Sequence, residues 1–506
     1  MKKIYLLLAL TVGLVTSCDM DTMPAGTIPE EEALMTPDDF RAMRNGLYSG
    51  LRSSVGGTAF YTASDVQSDE FHALVGNSNT FGDMYRWDFT PQNSYVSTVY
   101  GNYQAVIARA NFIIQGYNSC DFSDASTFDE EGMAIARAAK GDSFFARAYC
   151  LFMLSQYFCA DYEESTADNA NSGVSYRLDY APSSDPSTYP ARKTLNETYA
   201  QIEEDLDSAA LYITTAGAIS SDRITVDAIT ALRARAALAK DDYTNAASYA
   251  ASLVDGGNYI LASSVSDLTD LWSNDGGMET ILQLAIGDPN QFVSGNTIYY
   301  QPVDRNPDFV PTQTLLDLYS ANDYRRSVYF NTLDITTTTG TSGTVFGFNK
   351  IPLETRLYNG TTDSRGVIEP KVFRIAEMYL IAAEAYAQLA NGNDNNLTRA
   401  AYYLNELERN RIRGYQDQTF ASRDAIMQEI MDERTREMLG EGTRMFDIKR
   451  WHIAMERGEA QNESLCLTPG STTTSLTRPA DSDRMTWPIP QNEIDLTDRI
   501  VQNPGY

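Results

Sequence analysis

The sequence predicts a mainly α-helical protein, built from tetratricopeptide-like helical hairpins and broken by two long irregular insertions. Three observations carry that expectation. Apolar residues recur at helical spacing in paired segments over about 97–159, 194–254 and 373–439. Alanine and other small residues crowd those apolar faces, which lets neighbouring helices approach closely. Residues of about 56–98 and 259–365 lack that period and are rich in Gly, Asn, Asp and aromatic side chains. In repeat proteins such insertions gather on one face, often the binding face.

Each element has its own signal. Thr36-Pro-Asp-Asp39 reads as an N-cap with acids in the first turn. It opens a helix through Phe40, Met43, Leu47 and Leu51. The stretch from Gly56 to Thr98 reads as loop, with Tyr61, Phe71, Phe81, Tyr85, Trp87, Phe89 and Tyr95 set among polar residues. Helical spacing returns from Val99 to Gln115 and again from Gly132 to Phe158. Residues 160–192 are polar, Tyr-bearing and Pro-punctuated, and read as a long loop. Thr194-Leu-Asn-Glu197 is a capping box for a helix through Tyr199, Ile202 and Leu206. Thr225 to Ala239 and Asp242 to Val254 form the next pair. The Thr- and Gly-rich run from Ile335 to Val345 reads as a hairpin or flexible loop. Helices follow at about 373–390 and 397–413, with Asn391-Gly392-Asn393 closing the first, and a last long one at about 423–439. The tail from 465 is irregular.

The N-terminus has a different character. Lys2-Lys3 precede a 12-residue apolar run from Ile4 to Val15, then Thr16-Ser17-Cys18. A basic start, a short apolar segment and small residues describe a secretory signal over residues 1–17. The run is too short to cross a bilayer, which needs about 20 residues. A Cys at the cut resembles a bacterial lipobox, so Cys18 is the expected lipidation site and 18–35 the expected tether. Residues 18–506 would then form a single domain.

Composition excludes several function classes. Removing residues 1–17 discards two lysines and no acid, so the net charge of −29 becomes −31. That surface repels phosphate backbones, so nucleic acid is not an expected partner. The remaining cysteines, Cys120, Cys150, Cys159 and Cys466, show no CxxC spacing and read as small buried hydrophobes. Only His72 and His452 exist, so a three-histidine zinc site is impossible. No metal site and no cofactor is assigned.

Several motifs together carry a family resemblance. They include Tyr103-x-x-Val106-x-x-x-Ala110-Asn111, Arg147-Ala-Tyr149-x-Leu151-Phe152, and Arg374-x-Ala-Glu377-x-Tyr-Leu380-x-x-Ala-Glu384-Ala385. The most specific are Glu433-Arg434-x-Arg436-Glu437-x-x-Gly440-Glu441-Gly442-x-Arg444-x-Phe446-Asp447-x-Lys-Arg450-Trp451 and the ending Pro488-Ile-Pro490-x-x-Glu493 with Gln502-Asn-Pro-Gly-Tyr506. With Cys18, the chain resembles the SusD/RagB family of Bacteroidetes outer-membrane lipoproteins from end to end. The resemblance implies about four tetratricopeptide-like pairs packed against irregular ligand-binding segments. It implies a cell-surface lipoprotein, held to the outer membrane by its lipid. Such a protein captures oligosaccharide or polysaccharide and passes it to a SusC-like TonB-dependent transporter, without catalysis. An oligopeptide cargo and a helical scaffold with no small ligand are the alternatives within the same architecture, and a two-acid hydrolase is the enzymatic one.

The Glu433–Trp451 segment packs carboxylates beside arginines, which lowers and satisfies the acids instead of preparing a general acid. It is expected to be a charge network that locks the last helix and the Gly440/Gly442 turn, with His452 packing beside Trp451. A sugar site needs flat aromatic faces with Asp, Asn, Gln or Arg nearby. Trp272, Trp451 and Trp487 read as core. The ligand-binding candidates are Asp69, Tyr85, Arg86, Trp87, Asn93 and Tyr95 in the first insertion, with Tyr299 and Tyr300 in the second.

Overall fold

The structure, a computed structural model, describes residues 33–291, 306–390, 392, 394–467 and 477–506. Cys18 and the segment around it, and the candidates Tyr299 and Tyr300, lie outside the described residues. Thr36 caps the first helix, α1 (Pro37–Gly56), with a capping box closed by Asp39. The expected helices follow as α4 (Ser94–Ser119), α5 (Glu130–Phe158), α6 (Leu195–Tyr212), α7 (Val226–Ala239) and α8 (Tyr243–Asp255). Thr194, Thr225 and Asp242 cap the last three through their side chains. Later come α12 (Ile375–Gln388), α13 (Asp394–Arg411) and α14 (Arg423–Met438).

These helices stack as hairpins. α4 lies on α5 and α5 on α6; α7 lies on α8, α8 on α12, and α12 on α13 and α14. Alanine explains the closeness: Ala228, Ala231, Ala234, Ala246, Ala250, Ala382, Ala383 and Ala385 are all fully buried. The α8–α12 contact joins two blocks far apart in sequence, so the intervening insertion is looped out from a continuous helical stack.

The first insertion corrects the expectation of loop. It contains α2 (Thr58–Gln67), a short strand β1 (Phe71–Ala73) and α3 (Gly82–Arg86). α2 escapes a periodicity reading because it is buried on all sides: Thr62, Ser64, Asp65 and Gln67 are as buried as Ala63 and Val66. Without polar–apolar contrast there is no amphipathic stripe to read. The second insertion contains α9 (Val265–Ser273), β2 (Thr280–Gln283), β3 (Phe309–Pro311), α10 (Gln313–Asp317), α11 (Tyr324–Tyr329) and the antiparallel hairpin β4 (Phe330–Thr336) with β5 (Ser342–Phe348). β1 pairs with β3, and β2 with β6 (Lys371–Arg374) at the head of α12, so strand pairs dock the second insertion to the helical stack and the first insertion to the second. α15 (Arg444–Arg450) follows the Gly440/Gly442 turn, and α16 (Gln491–Leu496) sits near the C-terminus.

Candidate ligand-binding site

The Glu433–Trp451 segment is structural, as its arginine content implies. Glu433 and Glu437 are fully buried on α14. Arg325 reaches Glu433 at 2.6 Å and Glu437 at 3.0 Å, Arg374 reaches Glu437 at 2.7 Å, and Arg411 reaches Glu437 at 2.8 Å. Burial by itself would raise these carboxyls; the guanidiniums more than offset it and hold Glu437 well below the usual range. One detail differs from expectation. Arg436 does pair with Glu433, but Arg434 turns to Asp447 and Glu377, and most of the neutralising charge comes from distant arginines. The turn beyond α14 needs its glycines: Gly440 and Gly442 have φ of 72° and 74°. The Gly442 N–H donates to Asp65 at 3.0 Å, tying the turn to α2.

The first-insertion candidates do not converge. Trp87 and Tyr85 are 2% and 1% exposed, so neither offers a ring face to a ligand. Trp87 ends α3 in the left-handed region at φ 61°, turns its ring into a cluster with Met445, Ile448, Met455 and Met485, and donates Nε1–H to the Gln67 carbonyl at 2.9 Å. The Arg457 guanidinium covers the Tyr85 ring at 3.9 Å. Asp69 is held by Arg444 at 2.7 Å, and Asn93 caps α4 by accepting from Tyr95 N at 2.9 Å. Arg86 binds Asp83 and Asp88 at 2.9 and 3.1 Å. Tyr95 alone keeps a partly open ring, stacked on Phe81 at 4.1 Å. Trp272 and Trp487 are core as expected, whereas Trp451 is half-buried with Nε1–H on Glu384, and His452 stands exposed instead of packing. Cys150, Cys159 and Cys466 are buried thiols and Cys120 is half-buried.

One cleft among the described residues lies a step further along α4, with a volume of about 330 Å³. That is within the range of small-ligand sites, about 300–1,000 Å³. Its floor is one face of α4: Tyr100, Gln104, Ile107, Ala108 and Asn111, at helical spacing. Its walls are Tyr176, Tyr180, Pro182, Tyr189 and Pro190 from the 160–192 loop, and Glu493, Leu496 and Ile500 from the C-terminal segment.

Polar side chains fix those walls. The Asn111 amide donates to the carbonyls of Arg177 and Asp179 at 2.9 and 3.2 Å and accepts from Arg147 at 2.7 Å. Arg147 is itself locked on Asp205 at 2.6 Å. Gln104 donates to the Ser175 carbonyl at 2.8 Å. The Tyr180 ring meets Phe112 edge-on at 5.0 Å, and the Tyr189 hydroxyl donates to the Ser183 carbonyl at 3.1 Å. Arg499 donates to the Ser187 carbonyl at 2.9 Å, and Arg192 joins Asn503 at 2.6 Å, so loop and tail move as one wall. Burial raises the Glu493 carboxyl, with no arginine beside it. Burial likewise pushes the Tyr176 hydroxyl up to about 12. Tyrosine faces, amides and few charges suit an uncharged polyhydroxyl ligand with flat C–H faces. The signal in the sequence was the run of Tyr and Pro in the 160–192 loop, set against a tyrosine and two amides on one face of α4.

Comparison with known proteins gives the context. A family model described as SusD family matches residues 294–506, and another described as starch-binding associating with outer membrane matches 30–238. No curated protein sequence matches the chain. A SusD superfamily protein from Bacteroides thetaiotaomicron shares the fold at a TM-score of 0.76 and 23% identity, over 93% of this chain and 100% of that one. A second, from Bacteroides vulgatus, does so at 0.73 and 22%, over 93% and 99%. Surface glycan-binding protein A from Bacteroides fluxus follows at 0.67 and 19%, over 93% and 100%. With the two models matching its two ends and the fold shared along its length, the chain belongs to the SusD family.

Proposed function

We propose that this protein is a surface glycan-binding lipoprotein that captures oligosaccharides in the α4 cleft and hands them to a SusC-like TonB-dependent transporter. The family is one of starch-binding proteins that associate with the outer membrane and do not catalyse. Among the described residues no helix is long and apolar enough to cross a membrane. The lipobox-like Cys18 would attach the chain through its lipid. The observation that carries the reading is the cleft itself: tyrosine rings from the loop set over the Tyr100–Gln104–Ala108 face of α4. Binding without turnover agrees with the state of the most acid-rich motif. A glycosidase sets two carboxyls about 5–10 Å apart across an open cleft, whereas Glu433 and Glu437 are sealed under arginines. Tyr95, partly open in the first turn of α4, would serve as an outer rim for a longer chain.

Calorimetric titration of the soluble mature chain with a panel of neutral glycans and of peptides tests this. Heat from a glycan and none from peptides is the expected result. Heat from peptides alone moves the cargo to oligopeptide, and silence from both leaves a scaffold. Cys18→Ala should shift the protein from the outer-membrane fraction to the soluble one.

A further inference from the structure

We propose that Asp161, Glu163 and His452 form a site for one divalent transition cation of the zinc class. Asp161 and Glu163 open the 160–192 loop just past α5, and His452 follows α15. One donor atom from each residue lies within 4.8 Å of the others. Metal–ligand bonds of about 2.0–2.2 Å in a tetrahedral site put donors roughly 3.4 Å apart, so the outermost pair must close by about 1 Å or more. Glu163 and His452 are exposed, so their side chains are free to make that adjustment.

A separate observation points to a missing ligand. The Asp161 Oδ2 atom is shut off from solvent, and among the described residues no N–H or O–H is aligned to donate to it. His452 Nε2 stands 3.0 Å away, but not in line to donate to it. Lys449, the neighbouring cation, directs Nζ to the carbonyls of Gln156 and Cys159 at 2.5 and 2.8 Å. Asp161 Oδ2 and His452 Nε2 therefore meet at 3.0 Å, the separation of an ion pair and also of two ligands on adjacent positions of one cation. Asp241, also close by, already accepts from the Tyr243 hydroxyl at 2.7 Å. An imidazole in the set favours zinc-like ions over calcium or magnesium, which take oxygen ligands. Three protein donors leave one position for water. The bound ion would clamp the root of the loop to the end of α15, two segments that meet only in the folded chain.

The test is titration of the mature chain with zinc chloride alone, followed by calorimetry and thermal melting. Wild type should take up one equivalent and melt higher with zinc than without. His452→Ala and Glu163→Gln, both at exposed positions, should melt like wild type without zinc, bind it at least tenfold more weakly and lose the thermal shift. Cys120→Ser should behave as wild type, which separates the site from thiol binding. The proposal is overturned if wild type takes up no zinc at micromolar concentration, if His452→Ala binds as tightly as wild type, or if millimolar calcium displaces the ion.

Discussion

Glu437 and Glu493 are the same side chain in two regions that treat it oppositely. Glu437, under α14, is fully buried and meets guanidiniums of Arg325, Arg374 and Arg411; its carboxyl is held well below the ordinary range. Glu493, on the cleft wall, is partly buried with no arginine beside it, and its carboxyl is pushed up. Burial acts on both in the same direction, so the partners decide the sign. The ionic core leaves no acceptor open and fixes how the second insertion and α13 meet α14. The cleft leaves polar edges and ring faces open and is fixed from behind, by Asn111 and Arg147. A dense motif of charges here marks a sealed core, and the open polar edges lie among a sparse set of tyrosines and amides.

The largest test of that contrast is Glu437→Ala. It leaves three buried guanidiniums without their shared partner, and removing one member of a buried ion pair costs about 3–5 kcal/mol. Urea unfolding should show a loss of that order; a loss below about 1 kcal/mol would mean that the core is not held by charge pairing. The acid limb of stability should report the same group. A carboxyl whose folded pKa is depressed stabilises above its unfolded value, and that contribution is lost as pH falls through the folded value. Trp87→Phe is next, at about 1–3 kcal/mol, because it leaves the Gln67 carbonyl without its indole donor. Glycan affinity should not move. Reduced affinity at unchanged stability would return Trp87 to the binding surface.

How much of this was legible in the sequence follows from how local each signal is. Thr36, Thr194, Thr225 and Asp242 were readable as helix starts because an N-cap is decided within three or four residues. The hairpin around Gly340 and the Gly440/Gly442 turn were readable for the same reason. α2 was not, since Asp65 and Gln67 are buried polar residues whose partners, Gly442 and Trp487, lie near the other end of the chain. The Trp87 neighbourhood is polar in sequence, but a left-handed residue at the end of α3 sends the ring inward. Neither the cleft nor the Asp161–Glu163–His452 cluster has a local spacing, because each is assembled from segments hundreds of residues apart.

Asp65 gives a smaller test with the opposite sign to Glu437. Burial raises its carboxyl from an ordinary 3.8 to about 8, although the Gly442 N–H pulls the other way. A raised carboxyl favours the protonated fold, so its contribution falls as pH climbs from about 4 toward 8 and is flat beyond. Asp65→Asn keeps an acceptor for Gly442 and never ionises. Its advantage over wild type should grow from pH 5 to pH 8, by at least about 1–2 kcal/mol. Equal stability at both pH values would show that Asp65 is not strained by its charge.

Tyr189→Ala closes the comparison from the cleft side. Tyr189 is partly exposed on a loop, and its hydroxyl bonds only the nearby Ser183 carbonyl, so its removal should leave the melting temperature within a degree or two of wild type. Losing one stacking ring should weaken glycan binding about tenfold, or roughly 1.4 kcal/mol. Tyr180→Ala should act in the same direction with a larger stability cost, because that ring also packs on Phe112. Calorimetry on both variants, beside Trp87→Phe, separates the two regions: the cleft variants lose affinity and keep their stability, while Trp87→Phe loses stability and, as long as it is folded, keeps affinity. If Tyr189→Ala and Tyr180→Ala both bind glycan like wild type, the α4 cleft is not the ligand site, and the partly open Tyr95 and Arg86 near the start of the same helix become the place to look.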